Sequence, residues 1–289
     1  MAPSTGERVA LGLARALFDG LEALLAVSPL PLEVALSSAS QVGRARARFS
    51  GRWPSAAEVA ALFGTGPLAS RRLALAVAAA EARNRLVVRR SQGRSLARFA
   101  PLVEWRDAAA AAGLQPPLVL VTAHIGALYL LAAGFDQLGL HRTVLRWSPI
   151  HEPAPGERLV ATAGGLVGRT HALLRGVEAL RRGEFVVTAL EGEHGAGESV
   201  NVLGRPLQLG RGAFALARQR GVRVVPVAAL WRGNRVVCEL GSPVAGPADA
   251  GRWLEALLRR EPEQISLGLL RQLLLGPALG APGEDALRR

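Results

Sequence analysis

The sequence contains no lysine, so all 35 of its basic side chains are arginines, against 23 acidic ones. The resulting net charge of +12 favours acidic partners. Arginine can clamp a phosphate through two parallel hydrogen bonds, and it keeps its charge inside proteins. A compositional bias would explain the missing lysine equally well, but it leaves the charge unchanged. Phosphorylated lipids, phosphopantetheine carriers and nucleic acids are therefore plausible partners.

Cysteine and long apolar runs are also scarce. The single cysteine, Cys238, excludes an intramolecular disulfide and any metal site made of several cysteines. It lies in the strand-like run 236–240, where we expect a buried and inert thiol. Charged side chains interrupt the apolar residues of 11–27, so we predict no cleavable signal peptide. No window reaches the ~18 uninterrupted apolar residues of a transmembrane span.

Three kinds of motif are absent as well. Neither a Walker loop nor a G-x-G-x-x-G follows a predicted strand, which disfavours nucleotide binding. No G-x-S-x-G elbow supports Ser-His-Asp catalysis. Aromatic residues make up 4% of the chain and do not alternate with basic ones, so charge alone supports nucleic-acid binding. We therefore predict no nucleic-acid partner and no cofactor.

The first hundred residues are predicted to be all helical. Apolar residues recur at helical spacing in 7–28, 30–42, 55–63 and 70–90, and an arginine-rich connection is predicted at 41–52. The first of these helices is amphipathic. It is typical either of a helix that packs on a domain or of one that lies in a membrane interface.

From Pro116 onward, strand-like runs alternate with helical ones, which favours a largely parallel sheet. The connection 191–210 contains five glycines and is too long for an ordinary loop, which suggests function. We expect an α/β fold with a mixed, largely parallel sheet flanked by helices. One large domain suffices for 289 residues, although two small ones are possible. The predicted parts are a helical region 1–100, an α/β core 101–276 and a frayed tail 277–289. The predicted strands are 118–122, 142–147, 184–190, 222–230 and 235–240, and the predicted helical segments are 126–138, 157–182, 211–220, 249–260 and 263–275.

His124 follows the apolar strand 118–122 and precedes the helix expected from Gly126. The carboxyl ends of strands are where open α/β sheets place their ligands. A neutral imidazole there could take the proton of a hydroxyl that attacks an activated carbonyl, and amides of the first helical turn near Gly126 could hold an oxyanion or a phosphate. Tyr129, five positions on, would orient the imidazole less well than a carboxylate. The alternative is a structural histidine.

Acidic residues follow the strand 184–190, at the edge that parallel strands share with His124. Either Glu191 or Glu193 could orient the imidazole, and the alternative is that both are exposed loop acids. Together with His194 they could form a zinc site, but no recognised ligand spacing supports one. The same edge is expected to hold arginines that could neutralise phosphates: Arg146, Arg169, Arg205 and Arg211.

The segment T-A-H-I-G around His124 resembles the H-x4-D/E block of glycerolipid-type acyltransferases. It is more closely similar to that of the lipid A late acyltransferases (lauroyl and myristoyl transferases) and their mannoside-acylating relatives. Tyr129 stands at the position of the family's acid, and an amphipathic stretch stands where the family has an N-terminal transmembrane helix. Similar blocks follow in the family's order within residues 70–265: Arg146 in LRWSPI, Gly183-Glu184-Phe185-Val186 leading to Leu190-Glu191-Gly192-Glu193, Val202-Leu203-Gly204-Arg205-Pro206, Gly212 to Ala217, Val224-Val225-Pro226 and Pro262-Glu263-Gln264.

This resemblance implies an α/β acyltransferase fold and a transferase of bacterial lipid biosynthesis. The reaction would move a fatty acyl group from an acyl-carrier-protein or coenzyme A thioester to a hydroxyl of a lipid or glycolipid. His124 would be the base, with Gly126, Tyr129, Arg146, Arg169 and Arg205 on the substrate. The enzyme would work peripherally on the membrane surface, at the cytoplasmic face of the inner membrane. Tyr129 supports an alternative, a catalytically degenerate relative that binds lipid or acyl chains.

Overall fold

The computed structural model of the chain describes residues 5–49, 55–92, 94–146, 153, 156–162, 165–191 and 197–276. The predicted frayed tail 277–289 lies outside these residues. The helices are α1 (Thr5–Val27), α2 (Leu32–Phe49), α3 (Ala56–Phe63), α4 (Pro67–Ser91), α5 (Ala108–Ala112), α6 (Leu131–Gln137), α7 (Gly165–Arg181), α8 (Gly212–Arg220), α9 (Pro247–Arg260) and α10 (Leu267–Leu275). The strands are β1 (Val103–Trp105), β2 (Leu118–Thr122), β3 (Arg142–Arg146), β4 (Glu157–Ala161), β5 (Phe185–Ala189), β6 (Gly197–Val202), β7 (Arg205–Gly210), β8 (Val224–Arg232) and β9 (Arg235–Leu240).

Seven strands form one sheet in the order β1-β9-β8-β2-β5-β3-β4. All neighbouring pairs in it are parallel except β8 and β9, which are antiparallel. Helices flank the sheet, and β6 and β7 form a separate antiparallel pair. This confirms the predicted class, an α/β fold with a mixed and mostly parallel sheet.

The central strand β2 is buried along its whole length. Val119 and Val121 belong to one apolar cluster, together with residues of α7 to α10, whereas Leu118 and Leu120 belong to a second one, with residues of α2, α4 and α6. A strand covered on both faces needs a continuous apolar sequence, which is what made β2 predictable. Its carboxyl end meets that of β5, because Thr122 is in register with Ala189.

The helical prediction for the N-terminal region is confirmed in α1 to α4, but the predicted connection 41–52 is wrong over 41–49. Helix α2 continues to Phe49 and packs against α4. At Gly43 the two helices are so close that a Cβ would lie 2.5 Å from the carbonyl oxygen of Ala78. The arginines of this stretch suggested a solvated connection, and the close contact of the two helices depends on one small residue, Gly43.

Residues 157–161 were predicted to begin a helix, and the structure corrects this to the edge strand β4. Its backbone pairs with β3, from Arg142 with Glu157 to Arg146 with Ala161. The side chains of Arg142 and Glu157 are both buried and form an ion pair at 3.2 Å. Pairing across the sheet therefore outweighs the helical pattern of these five residues.

The predicted loop 191–210 is a β-hairpin over its last fourteen residues, β6 to β7. Leu203 and Gly204 form its turn, both with positive φ. Apolar residues alternate along both strands and were the signal that sequence reasoning missed. The short strand β1 was also missed, because three residues carry no periodicity.

Candidate functional site

His124 lies two residues beyond the end of β2, at the carboxyl edge of the sheet. The turn that carries it runs from Ala123 to Ala127, and of these five residues only His124 is exposed. Its side chain is 50% exposed, whereas the neighbouring Ile125 side chain is buried in the core. The imidazole is therefore open to a substrate while its backbone is enclosed.

Glu191 follows β5 and contacts His124 twice. One carboxylate oxygen, Oε1, accepts a hydrogen bond from the His124 backbone N–H at 2.8 Å, and Oε2 lies 3.4 Å from the ring Nδ1. The carboxylate side chain is only 3% exposed. A β-bridge to Leu209 and a bond from the Gly210 N–H to the Leu190 carbonyl oxygen hold this segment against the hairpin. The structure thus brings together two residues from the ends of adjacent strands.

This arrangement suits proton transfer. A carboxylate at Nδ1 favours the tautomer that carries the proton there, so that Nε2 carries the lone pair. It also stabilises the imidazolium that forms when Nε2 accepts a proton. A carboxylate withheld from solvent acts more strongly than an exposed one. His124 and Glu191 therefore have the geometry of a general base and its orienting group.

The amides of the turn, by contrast, are already used. The Gly126 N–H donates to the Gln264 carbonyl oxygen at 2.6 Å, and the Ala127 N–H donates to that of Ala229 at 2.7 Å. Helix α6 begins only at Leu131, after a 3₁₀ turn. The prediction that a helix starts at Gly126 and offers these amides to an oxyanion is therefore wrong. The structure gives Gly126 a different role, because its φ is +53° and a Cβ there would overlap the Ala229 carbonyl oxygen.

Two amide side chains, the partly buried Asn84 and the buried Gln264, connect the elements that surround this turn. Asn84 of α4 donates to the Gly126 carbonyl oxygen at 2.7 Å and accepts from the Trp231 indole N–H at 2.9 Å. The Gln264 side chain accepts from the Trp231 backbone N–H and donates to its carbonyl oxygen, at 2.9 and 3.0 Å. Sequence reasoning did not single out Asn84 or Trp231. Asn84 could have been noticed as an asparagine inside a helix of alanine, leucine and arginine, because asparagine is unfavourable in helix interiors.

Buried or partly buried cations lie on aromatic rings close to this turn. Arg83 lies over the Trp231 ring, 4.7 Å from its centroid, and burial followed by the nearby Arg44 charge lowers its pKa to about 10. Arg146, at the end of β3, lies 5.9 Å from the centroid of the Tyr129 ring. Burial raises the pKa of Tyr129 and lowers that of Arg146.

The other predicted arginines are distributed unevenly. Arg169 is in the second turn of α7, which follows the carboxyl end of β4, and Arg211 follows β7 directly and pairs with Glu198 at 3.5 Å. Arg205 is at the opposite end of β7, four residues from the Leu209 that bridges to Glu191. That separation is about 13 Å along a strand. The structure therefore corrects the expectation that Arg205 shares the edge with His124.

Glu193 and His194 lie outside the described residues. Among the residues that the structure does describe, no group of three or more His, Cys, Asp or Glu side chains could hold a metal ion. Cys238 is buried in β9, which confirms the expected burial. Burial raises the pKa of its thiol to about 12, and its inertness stays a prediction. The comparisons with known proteins give no identification: no protein-family model matches the chain, and no curated protein matches it significantly.

Proposed function

We propose that the chain is a peripheral membrane acyltransferase. It would transfer a fatty acyl group from an acyl-carrier-protein or coenzyme A thioester to a hydroxyl of a lipid or glycolipid. The observation that carries this proposal is the contact of the buried Glu191 carboxylate with the half-exposed His124 imidazole at the carboxyl edge of the sheet. The resemblance of the surrounding sequence blocks to lipid A late acyltransferases supplies the substrate classes.

The proposed reaction begins with proton transfer to His124. Nε2 takes the proton of the acceptor hydroxyl while its oxygen attacks the thioester carbonyl carbon and a C–O bond forms. The tetrahedral intermediate then expels the thiolate as the C–S bond breaks, and the imidazolium returns the proton to the sulfur. Glu191 stabilises the imidazolium between these two steps. The products are an ester and a free thiol, so no co-reactant is needed.

Glu191 takes the part of the acid that the family's block carries five positions after its histidine. In this chain that position is Tyr129, whose ring lies against the Arg146 guanidinium group. The Glu191 carboxylate, just after the neighbouring strand β5, would orient the imidazole instead. We therefore propose an acyltransferase site in which the catalytic acid has moved from the turn after β2 to the end of β5.

Arginines at the same edge would bind the phosphates of the donor or the headgroup. Of the four predicted arginines, Arg146, Arg169 and Arg211 are the candidates. Arg211 is a better candidate than Arg205 because it lies at the base of the hairpin. Bidentate guanidinium contacts suit phosphates of either substrate. The Gly126 amide has no part in this proposal.

The test is acyl transfer from a radiolabelled acyl thioester to extracted lipid acceptors. His124→Ala should lower turnover by at least about a hundredfold, because general-base catalysis contributes that much or more. His141→Ala is the matched control: this histidine precedes β3, at the opposite edge of the sheet, and its loss should leave turnover unchanged. Equal turnover by the His124→Ala variant and the wild type would refute the proposal.

A second candidate function is lipid or acyl-chain binding without catalysis, which the tyrosine at position 129 favours. Tyr129→Glu separates the two. A large gain of acyl transfer in this variant would mean that the native site is degenerate, whereas an active wild type that loses turnover on this change would support the proposed enzyme. Because Tyr129 is partly buried and packs against the core, the folded state of the variant must be verified by circular dichroism.

A further inference from the structure

Helix α1 turns a carboxylate toward the protein. The Glu22 side chain is 4% exposed, and its two oxygens accept hydrogen bonds from the Arg85 guanidinium group at 2.6 and 2.9 Å. Asp19, one turn earlier, pairs with Arg46 of α2 at 2.6 Å. Charged contacts therefore attach α1 to the helices below it, beside the apolar contacts of Phe18 and Leu25.

The end of the same helix is also held by a charged group. Arg90 of α4 donates to the carbonyl oxygens of Leu25 and Ser28, at 2.9 and 3.0 Å. A guanidinium group at this position satisfies carbonyl groups that a helix leaves without intrahelical partners, and its charge suits the negative end of the helix dipole. The docking of α1 through polar groups thus extends over its last three turns.

The opposite face of α1 carries large aliphatic side chains exposed to solvent. At 100° per residue they fall within an arc of about 120°, and Glu22 lies about 160° from the centre of that arc. Leu30 and Val34, 40% and 47% exposed, extend this surface beyond the end of α1. We call it the outer stripe; its members on α1 are Leu13, Leu17, Leu21, Leu24 and Val27, with exposed fractions of 69%, 61%, 38%, 65% and 82%.

On a protein that only water surrounds, α1 would not be expected to keep this face open, because its inner side already packs Phe18, Leu25 and Ala26 against the protein. An amphipathic helix normally turns its apolar side to the core and its charges to water. A contiguous apolar surface of this kind marks an interaction site. The outer stripe therefore requires an apolar partner.

We propose that the outer stripe lies in the interface of an anionic phospholipid bilayer, with α1 parallel to the membrane plane. This inference rests on the proposed function and names the face of the enzyme that meets its lipid substrate. From Leu13 to Val27 the stripe is about 21 Å long, which suits a helix lying on a membrane. No described helix is long and apolar enough to cross one.

Charge and size both select a bilayer over a second copy of the chain. Across 5–49 and 55–92 the helical region holds eleven arginines against six acidic residues, a net charge of +5 that attracts anionic headgroups. A stable protein interface uses roughly 20 to 30 residues on each side. The outer stripe provides only seven.

Flotation with lipid vesicles tests this assignment on the full-length protein. The probes are vesicles of phosphatidylcholine alone and of phosphatidylcholine mixed with phosphatidylglycerol. Wild type should float with the anionic vesicles and much less with the neutral ones. The double variant Leu17→Glu, Leu24→Glu should lose at least about tenfold in binding, since it places two charges in the face that would enter the bilayer interface. Leu174→Glu on α7 is the matched control, because this leucine is 59% exposed and should tolerate the change.

Three results would overturn the inference: flotation of the double variant at the wild-type level, failure of the wild type to float, or a dimer in lipid-free solution that the double variant dissociates. The His124→Ala variant keeps the two proposals separate. If it floats normally but transfers no acyl group, both hold. If wild type floats without transferring acyl groups, the proposed function fails alone. If wild type turns over a water-soluble acceptor but does not float, the inference fails alone.

Discussion

The turn after β2 and the helix α1 are fixed in the same manner, although they expose opposite kinds of group. In the turn, backbone amides point inward to Gln264 and Ala229, and the imidazole of His124 points outward. In α1, the Glu22 carboxylate points inward to Arg85, and leucines point outward. Polar contacts on the inner side hold each element and leave the outer side for an interaction.

The difference lies in what each outer side can do. A half-exposed imidazole beside a buried carboxylate is suited to proton transfer, whereas an aliphatic stripe is suited to adsorption on an apolar surface. In both elements the inner contacts connect residues far apart in the sequence. Variants that remove these inner contacts should therefore affect stability first and the exposed groups only through it.

The largest effect on stability is expected in the turn, from Gly126→Ala. The added methyl group meets the Ala229 carbonyl oxygen, and the positive φ strains any non-glycine residue. We expect the free energy of unfolding to fall by about 3 kcal/mol or more in chemical denaturation. Gly139→Ala is the control, since its φ is +63° but nothing lies within 4 Å of a Cβ there, and it should cost only about 1 kcal/mol. Equal losses would show that the close packing under the turn is not important.

The corresponding change in α1 is Glu22→Ala, which leaves the Arg85 guanidinium group without its bidentate carboxylate. Breaking such a buried pair should cost about 3 kcal/mol in free energy of unfolding. Asp19→Ala removes a pair in which the aspartate side chain is 53% exposed, and about 0.5 kcal/mol is expected. If both variants unfold at the same denaturant concentration, polar docking does not hold α1.

A smaller effect should follow from Asn84→Ala, which removes the hydrogen bonds to the Gly126 carbonyl oxygen and the Trp231 indole. We expect a loss of about 2 kcal/mol in stability, with a fall in kcat and little change in KM, because the turn and His124 shift together. Asn234→Ala, which breaks contacts to α2 away from the turn, should cost less than about 1 kcal/mol and leave kcat unchanged. A normal kcat in Asn84→Ala would separate the turn from catalysis.

The smallest effect concerns Tyr129, the only tyrosine of the chain. Burial raises its pKa in the folded state above the usual value of about 10. Stability from the neutral phenol is therefore fully present below pH about 10 and is lost as the pH rises through the raised pKa, because only the unfolded chain ionises readily there. Phenolate absorbance should accordingly appear above pH 10 in the folded protein. Titration at the usual pKa would mean that the phenol faces solvent.

Local patterns predicted most of the elements and one side of the site. The apolar run of β2 predicted its burial. The shared carboxyl edge of parallel strands predicted Glu191 and Glu193 as possible neighbours of His124. The contact of Glu191 with His124 is the one that the structure describes, and Glu193 lies outside the described residues. The spacing of apolar residues also predicted the helix α1. It does not predict which face of α1 points inward, because that depends on Arg85 and Arg90 of α4.

Tertiary contacts decided the rest. Gln264 reaches Gly126 across more than half of the core sequence, and no local pattern encodes that bond. Strand β4 owes its conformation to pairing with β3, and the hairpin β6–β7 owes its place to the bridge with Glu191. These are the elements at which the sequence prediction was wrong or incomplete.

The most direct test of the proposed site is the rate of acyl transfer in a Glu191→Gln variant. The glutamine carbonyl oxygen can still accept the hydrogen bond from the His124 backbone N–H. Its amide group would donate to the ring Nδ1, so the ring proton would lie on Nε2. A ring with that tautomer cannot act as the base, so kcat should fall about a hundredfold to ten-thousandfold while KM for the thioester stays the same. A Glu191→Gln enzyme that transfers acyl groups at the wild-type rate would contradict the account.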